Sequence, residues 1–419
     1  MQFLKDGRVQ LISGTLLTWA ALLALFASYG YEKTWALWGV HPGGSQFFFD
    51  WRLIPGTVDT LRMGLDPTVE NPGDPDGRIF NYPPIWYLLL LTGISQGDTL
   101  WIGILMIVMY FVGVFLFPER IGKMEVLLML LVLFSPAAMM LYERGNVDLA
   151  IFFLCALAVT FAENRTILSA GLIFCASLLK LFPFVGMIIL ASKGRRTFFT
   201  YLLASALLFG LYIFFTTRNV ETSWNATMRG RDISYGTNVV VMYFAHFLNS
   251  NLKQWIERDA MPLAFKLIAY IPAVLILLAS FWSGLRTREK LSASSQRNLN
   301  AFWMGAAIYV STFLLGNNWD YRLAFLIFVI PQLLEWSRLG IGWQRALSIF
   351  ALACVLISCW YLFYNRHPYD SNYPIPFVFD EIINWALFGN LTYLLANSMP
   401  EWLTSLIQRP VSLIHAVTS

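Results

Sequence analysis

Apolar stretches long enough to cross a bilayer recur from one end of this chain to the other, and no other feature constrains the fold as tightly. A spanning helix needs about 20 predominantly apolar residues. Runs of that kind lie near 11–29, 99–117, 125–142, 147–162, 197–217, 262–285, 299–315, 322–337, 345–364 and 382–397. Two shorter ones, 167–179 and 183–192, flank Lys180-Leu-Phe-Pro183. Composition agrees, with 57% hydrophobic and only 13% charged residues, against about 25% charged in ordinary soluble domains. Backbone polar groups in hydrocarbon must be satisfied within their own segment, so the expected class is an all-α polytopic membrane protein. The net charge of +4 is small and scattered, which argues against nucleic acid as a partner. Cys155, Cys175, Cys354 and Cys359 all fall inside apolar runs, without metal-ligand or disulfide spacing, and read as small hydrophobes.

Charge placement tests the topology. If 83–96 and 239–250 stay outside, being too short to span, then Arg120/Lys123, Arg165, Lys193/Arg195/Arg196, Arg286/Arg288/Lys290/Arg297 and Arg338/Arg345 all fall inside. That gives about twelve membrane segments with both termini inside. The first run, preceded by Lys5 and Arg8, reads as a retained helix rather than a cleaved signal, since no small-residue cleavage site follows. One membrane domain, 1–419, is the simplest division, with a first half at 1–217 and a more variable half at 218–419. The outer face then receives 30–98, Glu143-Arg-Gly-Asn-Val-Asp148, the Lys180 turn, 218–261, 316–322 and 365–379. The first of these loops carries eight acids and four bases.

Asp50 follows Phe47-Phe-Phe49, and Leu53, Ile54, Val58, Leu61 and Leu65 recur behind it at helical spacing. That pattern predicts an amphipathic helix on the membrane interface, ended by Gly64-Leu-Asp66-Pro67. Two readings of Asp50 stand side by side, helix cap and catalytic carboxylate. Asn81-Tyr82-Pro83-Pro84 fixes an extended approach to the next apolar piece. Asp74-Pro75-Asp76-Gly77 is a turn before it is a metal motif. Glu143-Arg144-Gly145-Asn146-Val147-Asp148 reads either as a loop of solvated charges or as part of a site. Lys180 is harder to dismiss, because a lone ammonium in an apolar hairpin wants an anion. Gly316-Asn-Asn-Trp-Asp320-Tyr321-Arg322 sets amides, aromatics and an arginine between two spans. Arginine suits phosphate, and Asp320 is a natural partner for Arg322. His246 and His367 stand alone and suggest no role.

As an ordered set, Asp50, Gly64-Leu-Asp66-Pro67, Tyr82-Pro83-Pro84, Gly145-Asn146 and Lys180-Leu-Phe-Pro183 resemble the GT-C class of membrane glycosyltransferases. The resemblance is nearest to glycosyltransferase family 87, which includes the polyprenol-phosphate-mannose-dependent mannosyltransferases. It covers about 1–217; beyond that, Asp320-Tyr321-Arg322 can be placed. Thr68 departs from the family's usual Asp-Pro-Tyr, and no paired-histidine motif follows in the later loops. The resemblance implies a GT-C-like bundle with interfacial helices in its first outer loop. It also implies inverting transfer of one sugar, mannose first, from a polyprenyl-phosphate donor to a lipid or glycan acceptor outside. Asp50 would be the base, with Lys180, Arg322 and Arg144, in that order, on the donor phosphate. Asp66, Tyr82, Asn146, Asp320 and Tyr321 would shape the substrate site, and no cofactor or metal enters the scheme. A flippase for lipid-linked sugars and an oligosaccharide polymerase or ligase are the alternatives, the latter resting on Arg229, Arg231 and Asp232 of the 218–261 loop. A bacterial inner membrane, with the site facing the periplasm, is the expected location.

Overall fold

The structure is a computed structural model, and it describes residues 7–43, 47–226, 233–248, 263–287, 291, 293–340, 342–365 and 374–406. Lys290, Arg229, Arg231, Asp232 and His367 lie outside these. Nearly all the described secondary structure is helical. One short antiparallel bridge pairs Ser234 with Trp319 and Tyr235 with Asn318.

Among the described residues, five helices are long and apolar enough to cross a membrane: Gly7–Tyr29, Gln96–Leu116, Arg195–Thr217, Ala264–Arg286 and Gly342–Cys359. A sixth crossing is available as the pair Lys123–Leu133 and Pro136–Arg144. Three of the long helices form an outer layer. Only 17%, 11% and 11% of the apolar windows in Gly7–Tyr29, Arg195–Thr217 and Ala264–Arg286 are buried. Their outward residues include Leu17, Leu23, Leu207, Phe214, Phe215, Leu275 and Leu278. An apolar surface of that extent is stable only against lipid, so the chain is a multi-pass membrane protein. Inside this layer, helix Gln296–Leu314 packs on Phe182–Lys193 and on the 3₁₀ helix Asp320–Val329. Phe117, Phe152, Phe325 and Phe328 stack there into a solid aromatic core.

All twelve expected segments fall on helical stretches, yet several are too short or too polar to pass as complete spans. One is not straight. The run 125–142 bends by 53° between its two helices, where Ser135 occupies the N-cap, accepting from the Ala138 amide at 3.4 Å, and Pro136 opens the next helix. Ser-Pro is a restart signal, because the hydroxyl caps free amides and proline lacks one. The second helix ends at Arg144, which lines the polar cleft described below.

The first outer loop corrects a second expectation. Helix Phe49–Arg62 does not lie exposed at an interface: Trp51, Leu53, Ile54, Val58 and Arg52 are buried. The 3₁₀ helix Pro84–Leu91, Gln96–Asp98, Thr99–Leu116 and Pro136–Arg144 pack around it. The loop is held by its own polar residues. Gln96 Nε2 donates to the Arg52 carbonyl at 2.6 Å, the Gln96 amide donates to Asp59 at 2.9 Å, and Thr60 donates to Asn71 at 2.6 Å. Segment Pro84–Leu91, by contrast, leaves Leu88 and Leu91 exposed. That segment is tied to the bundle through Trp86 Nε1, which donates to the Leu179 carbonyl at 3.2 Å.

Candidate functional site

The Asp50 backbone is set by an unusual neighbour. Phe48 takes left-handed dihedrals (φ 58°, ψ 55°), which cost a bulky L-residue about 1–3 kcal/mol and survive only where surroundings fix them. Here the surroundings are two glycines. A Cβ on Gly103 would lie 2.1 Å from the Phe48 ring, and one on Gly145 would lie 2.7 Å from Phe48 Cβ. Phe48 plugs that gap and starts helix Phe49–Arg62 with Asp50 in its first turn. No side-chain cap bond forms at this terminus. Asp50 turns into the cleft instead, so the capping reading falls away.

Gly145 has a second duty. It ends helix Pro136–Arg144 in the left-handed conformation (φ 55°), as glycine commonly does at a C-terminus, and thereby presents Asn146. The Asn146 amide uses both ends. Its Nδ2 donates to Asp50 Oδ2 at 2.6 Å and to the Tyr321 hydroxyl at 3.1 Å. Its Oδ1 accepts from Lys180 Nζ at 3.0 Å and from the Asp148 amide at 3.0 Å.

Lys180 enters because helix Thr166–Leu179 stops one residue before it and the next helix, Phe182–Lys193, starts only two residues after it with Pro183 in its first turn. Its ammonium donates to Asp148 Oδ1 at 2.7 Å. Arg322 Nε donates to Asp148 Oδ2 at 3.1 Å, and Arg322 Nη1 donates to Asn318 Oδ1. Asp148 is completely buried. Desolvating ions costs several kcal/mol each, and a buried carboxylate is tolerated only with such partners. Two cations thus share one acid.

Arg144 stands on the other side of Asp50, its Nη1 4.0 Å from Asp50 Oδ1 and its Nε 3.3 Å from Glu143 Oε2. Arg78 comes from the first loop. It is gripped by Asp74 at 2.8–2.9 Å, donates to the Phe49 carbonyl at 2.7 Å, and lies 3.8 Å from the Phe49 ring centroid. Tyr82 closes the cleft near Lys180, whose Nζ is 5.5 Å from the Tyr82 ring centre. Burial, and then the charge of Asp50, pushes the Tyr82 phenol well above its ordinary range, so it stays protonated.

Phe49, Asp50, Arg78, Tyr82, Arg144, Asn146, Lys180, Asn318, Tyr321 and Arg322 line one cavity of about 530 Å³, together with Leu53, Asn81, Pro83, Leu181, Phe182, Asn238, Asn317, Trp319 and others, while Asp148, Glu143 and Asp74 stand behind it. Both halves of the chain contribute walls. Of the residues expected from sequence, Asp50, Tyr82, Arg144, Asn146, Lys180, Tyr321 and Arg322 meet here. Two do not. Asp66 is exposed and accepts from the Thr68 amide and hydroxyl at 2.9 and 2.7 Å, a local turn outside the cavity lining. Asp320 is buried and outside the lining, and its carboxylate accepts no hydrogen bond among the described residues. Its expected pairing with Arg322 fails for a geometric reason: residues two apart on a 3₁₀ helix point in different directions.

Asp148, Arg78, Glu143 and Asn318 are working parts that sequence reasoning passed over. Asp148 and Glu143 looked like solvated loop charges, whereas both are completely buried. Arg78 carried one usable signal, its i+4 spacing from Asp74 across a Pro/Gly turn. Among the described residues no group of three His, Cys, Asp or Glu side chains could hold a metal. Comparison of the chain with family models, curated proteins and solved structures finds no match.

Proposed function

We propose that this cavity transfers a single sugar from a polyprenyl-phosphate donor to a hydroxyl of a lipid or glycan acceptor, with inversion, at the outer membrane face. One observation carries the reading: a carboxylate, Asp50, is joined through Asn146 to Lys180, which shares the buried Asp148 with Arg322, in an otherwise largely aromatic and apolar cleft. The acceptor oxygen attacks the anomeric carbon while Asp50 takes its proton. The bond from that carbon to the phosphate oxygen breaks, and the lipid phosphate leaves with the electron pair. Lys180 and Arg322 neutralise the charge that develops there, within a site where water is scarce. Asn146 keeps Asp50 and Lys180 at a fixed separation, which is the positioning such a displacement needs. The Tyr82 and Tyr321 hydroxyls supply hydrogen bonds to the sugar. Mannose as the sugar, a GT-C-like bundle of about twelve segments, and a bacterial inner membrane with the site facing the periplasm belong to the same proposal.

The test uses the purified chain in lipid with radiolabelled polyprenyl-phosphate mannose. Donor-dependent transfer that disappears in Asp50→Asn, with the melting temperature kept, supports the reading. Failure of this and other single-sugar donors to bind, with binding of a diphosphate-linked oligosaccharide, hands the cavity to a flippase or ligase.

A further inference from the structure

The two walls beside Asp50 are not alike in charge, and the difference bears on what each can hold. On the Lys180 wall two cations share one carboxylate, Asp148. On the Phe49 wall every guanidinium has an acid of its own. Arg78 is paired with Asp74 at 2.8 Å, Arg144 with Glu143 at 3.3 Å, and Arg52 with Asp76 at 3.4 Å. All three guanidiniums lie 3.8 to 5.7 Å from the Phe49 ring centroid. The first wall carries a net positive charge and the second is balanced.

From this asymmetry we infer that the Arg78–Arg144 wall is a subsite for an uncharged, polyhydroxylated group, and that the acceptor hydroxyl reaches Asp50 on a neutral sugar rather than on a phosphorylated headgroup. The inference rests on the transferase reading of Asp50 and adds the chemical class of the acceptor. An anion entering the cleft is drawn to the wall with surplus positive charge. At the balanced wall it gains little, because each arginine already has a carboxylate and a second anion would be repelled by it. A sugar ring meets the opposite situation. The Arg144 guanidinium lines the cavity and is held by ion pairs at 3.3 and 4.0 Å, with no side-chain hydrogen bond among the described residues, so its N–H groups can turn to a hydroxyl oxygen. The Asp50 carboxylate beside it accepts the hydroxyl proton. Adjacent donors and acceptors of this kind match hydroxyls, which do both.

Phosphate counting tests this directly. The purified chain in neutral phosphatidylcholine nanodiscs, above neutral pH, is titrated with inorganic phosphate by calorimetry, and separately with a neutral mannotriose by saturation-transfer NMR. One phosphate per chain is expected, weakened at least tenfold by Lys180→Gln and little changed by Arg144→Gln. Mannotriose binding is expected to show the reverse pattern. Glu143→Gln keeps the shape and an acceptor for the Gly43 amide while removing the nearer of the two acids at Arg144, Asp50 being left at 4.0 Å, so it should create a second, weaker phosphate site. Replacing part of the neutral lipid by phosphatidylglycerol, without free phosphate, separates a headgroup from a free anion. Lipid phosphate too should protect only the Lys180 wall. Two phosphates in the wild type, or mannotriose binding lost through Lys180→Gln alone, would overturn the inference. Absence of sugar transfer alongside the one-phosphate result would count against the transferase reading and leave the charge asymmetry standing.

Discussion

Two polar clefts open at opposite ends of helix Thr99–Leu116, and they use charge differently. The one beyond Leu116, about 350 Å³, is lined by Glu119, Arg120, Glu125, Glu335 and Arg338 among others. Most of these charges are spent on one another and on nearby backbone. Glu125 takes Arg338 at 2.7 and 3.3 Å, Glu335 accepts from the Ser294 amide at 2.6 Å, and Glu119 accepts from Ser295. Such pairs fasten three connecting segments together. In the cleft that holds Asp50, the same kinds of residue are arranged around a space, with aromatic walls and with donor and acceptor atoms left facing it. The number of charges is similar in the two places. What separates a fastening from a site is whether buried partners orient those charges toward a cavity.

Four substitutions probe that contrast, in order of expected effect. Asp50→Asn should lower sugar transfer by about 10²–10⁴-fold, the usual contribution of a general base. The melting temperature should stay put, because Asn146 can still donate to the amide oxygen. Transfer within a few-fold of wild type in the radiolabel assay would remove Asp50 from the chemistry. For Lys180→Gln the expectation is a loss of about 10²–10³-fold, on the scale of removing one electrostatic contact to a developing charge. A weaker donor affinity with unaltered turnover would demote Lys180 to binding alone.

Stability carries the other two. Asp148→Asn takes the fully buried partner from two partly buried cations, and breaking a buried pair costs about 3–5 kcal/mol. The loss should appear as a large drop in the melting point of the nanodisc-embedded protein. Arg338→Gln removes a pair whose arginine is half exposed, worth about 0–1 kcal/mol, and should leave both melting point and transfer nearly unchanged. Equal destabilisation by these two changes would mean that the clefts do not differ as described.

Polar residues isolated among apolar runs were the easier part of the site to read. Asp50, Asn146, Lys180 and Tyr321-Arg322 were conspicuous because polar groups are expensive among apolar runs. Glu143 and Asp148 were conspicuous too, yet their burial was invisible, since a charge at a helix end is equally consistent with solvent. Asp320 and Asp66 show the converse error: membership of a polar cluster does not say which way a side chain points. The interfacial helix misread has the same root. Leu53, Ile54 and Val58 mark an apolar stripe, but the stripe does not reveal that Pro84–Leu91, and not lipid, covers it.

By itself the sequence determined the solvent. Its apolar runs are too long and too frequent for water, and hydrocarbon forces their backbones into helices that satisfy their own hydrogen bonds. It also fixed where those helices break, at Ser135-Pro136, Gly145 and Lys180–Pro183, because capping, left-handed and proline conformations are local properties. Tertiary structure alone decided that Asp148 lies between Lys180 and Arg322, that Arg78 and Arg144 share the Phe49 ring, and that Asn146 spans the gap to Asp50. Those pairings join residues up to 174 positions apart. They depend on how the helices cross, and the energy that selects a crossing comes from packing summed over the whole bundle rather than from any short stretch of the chain.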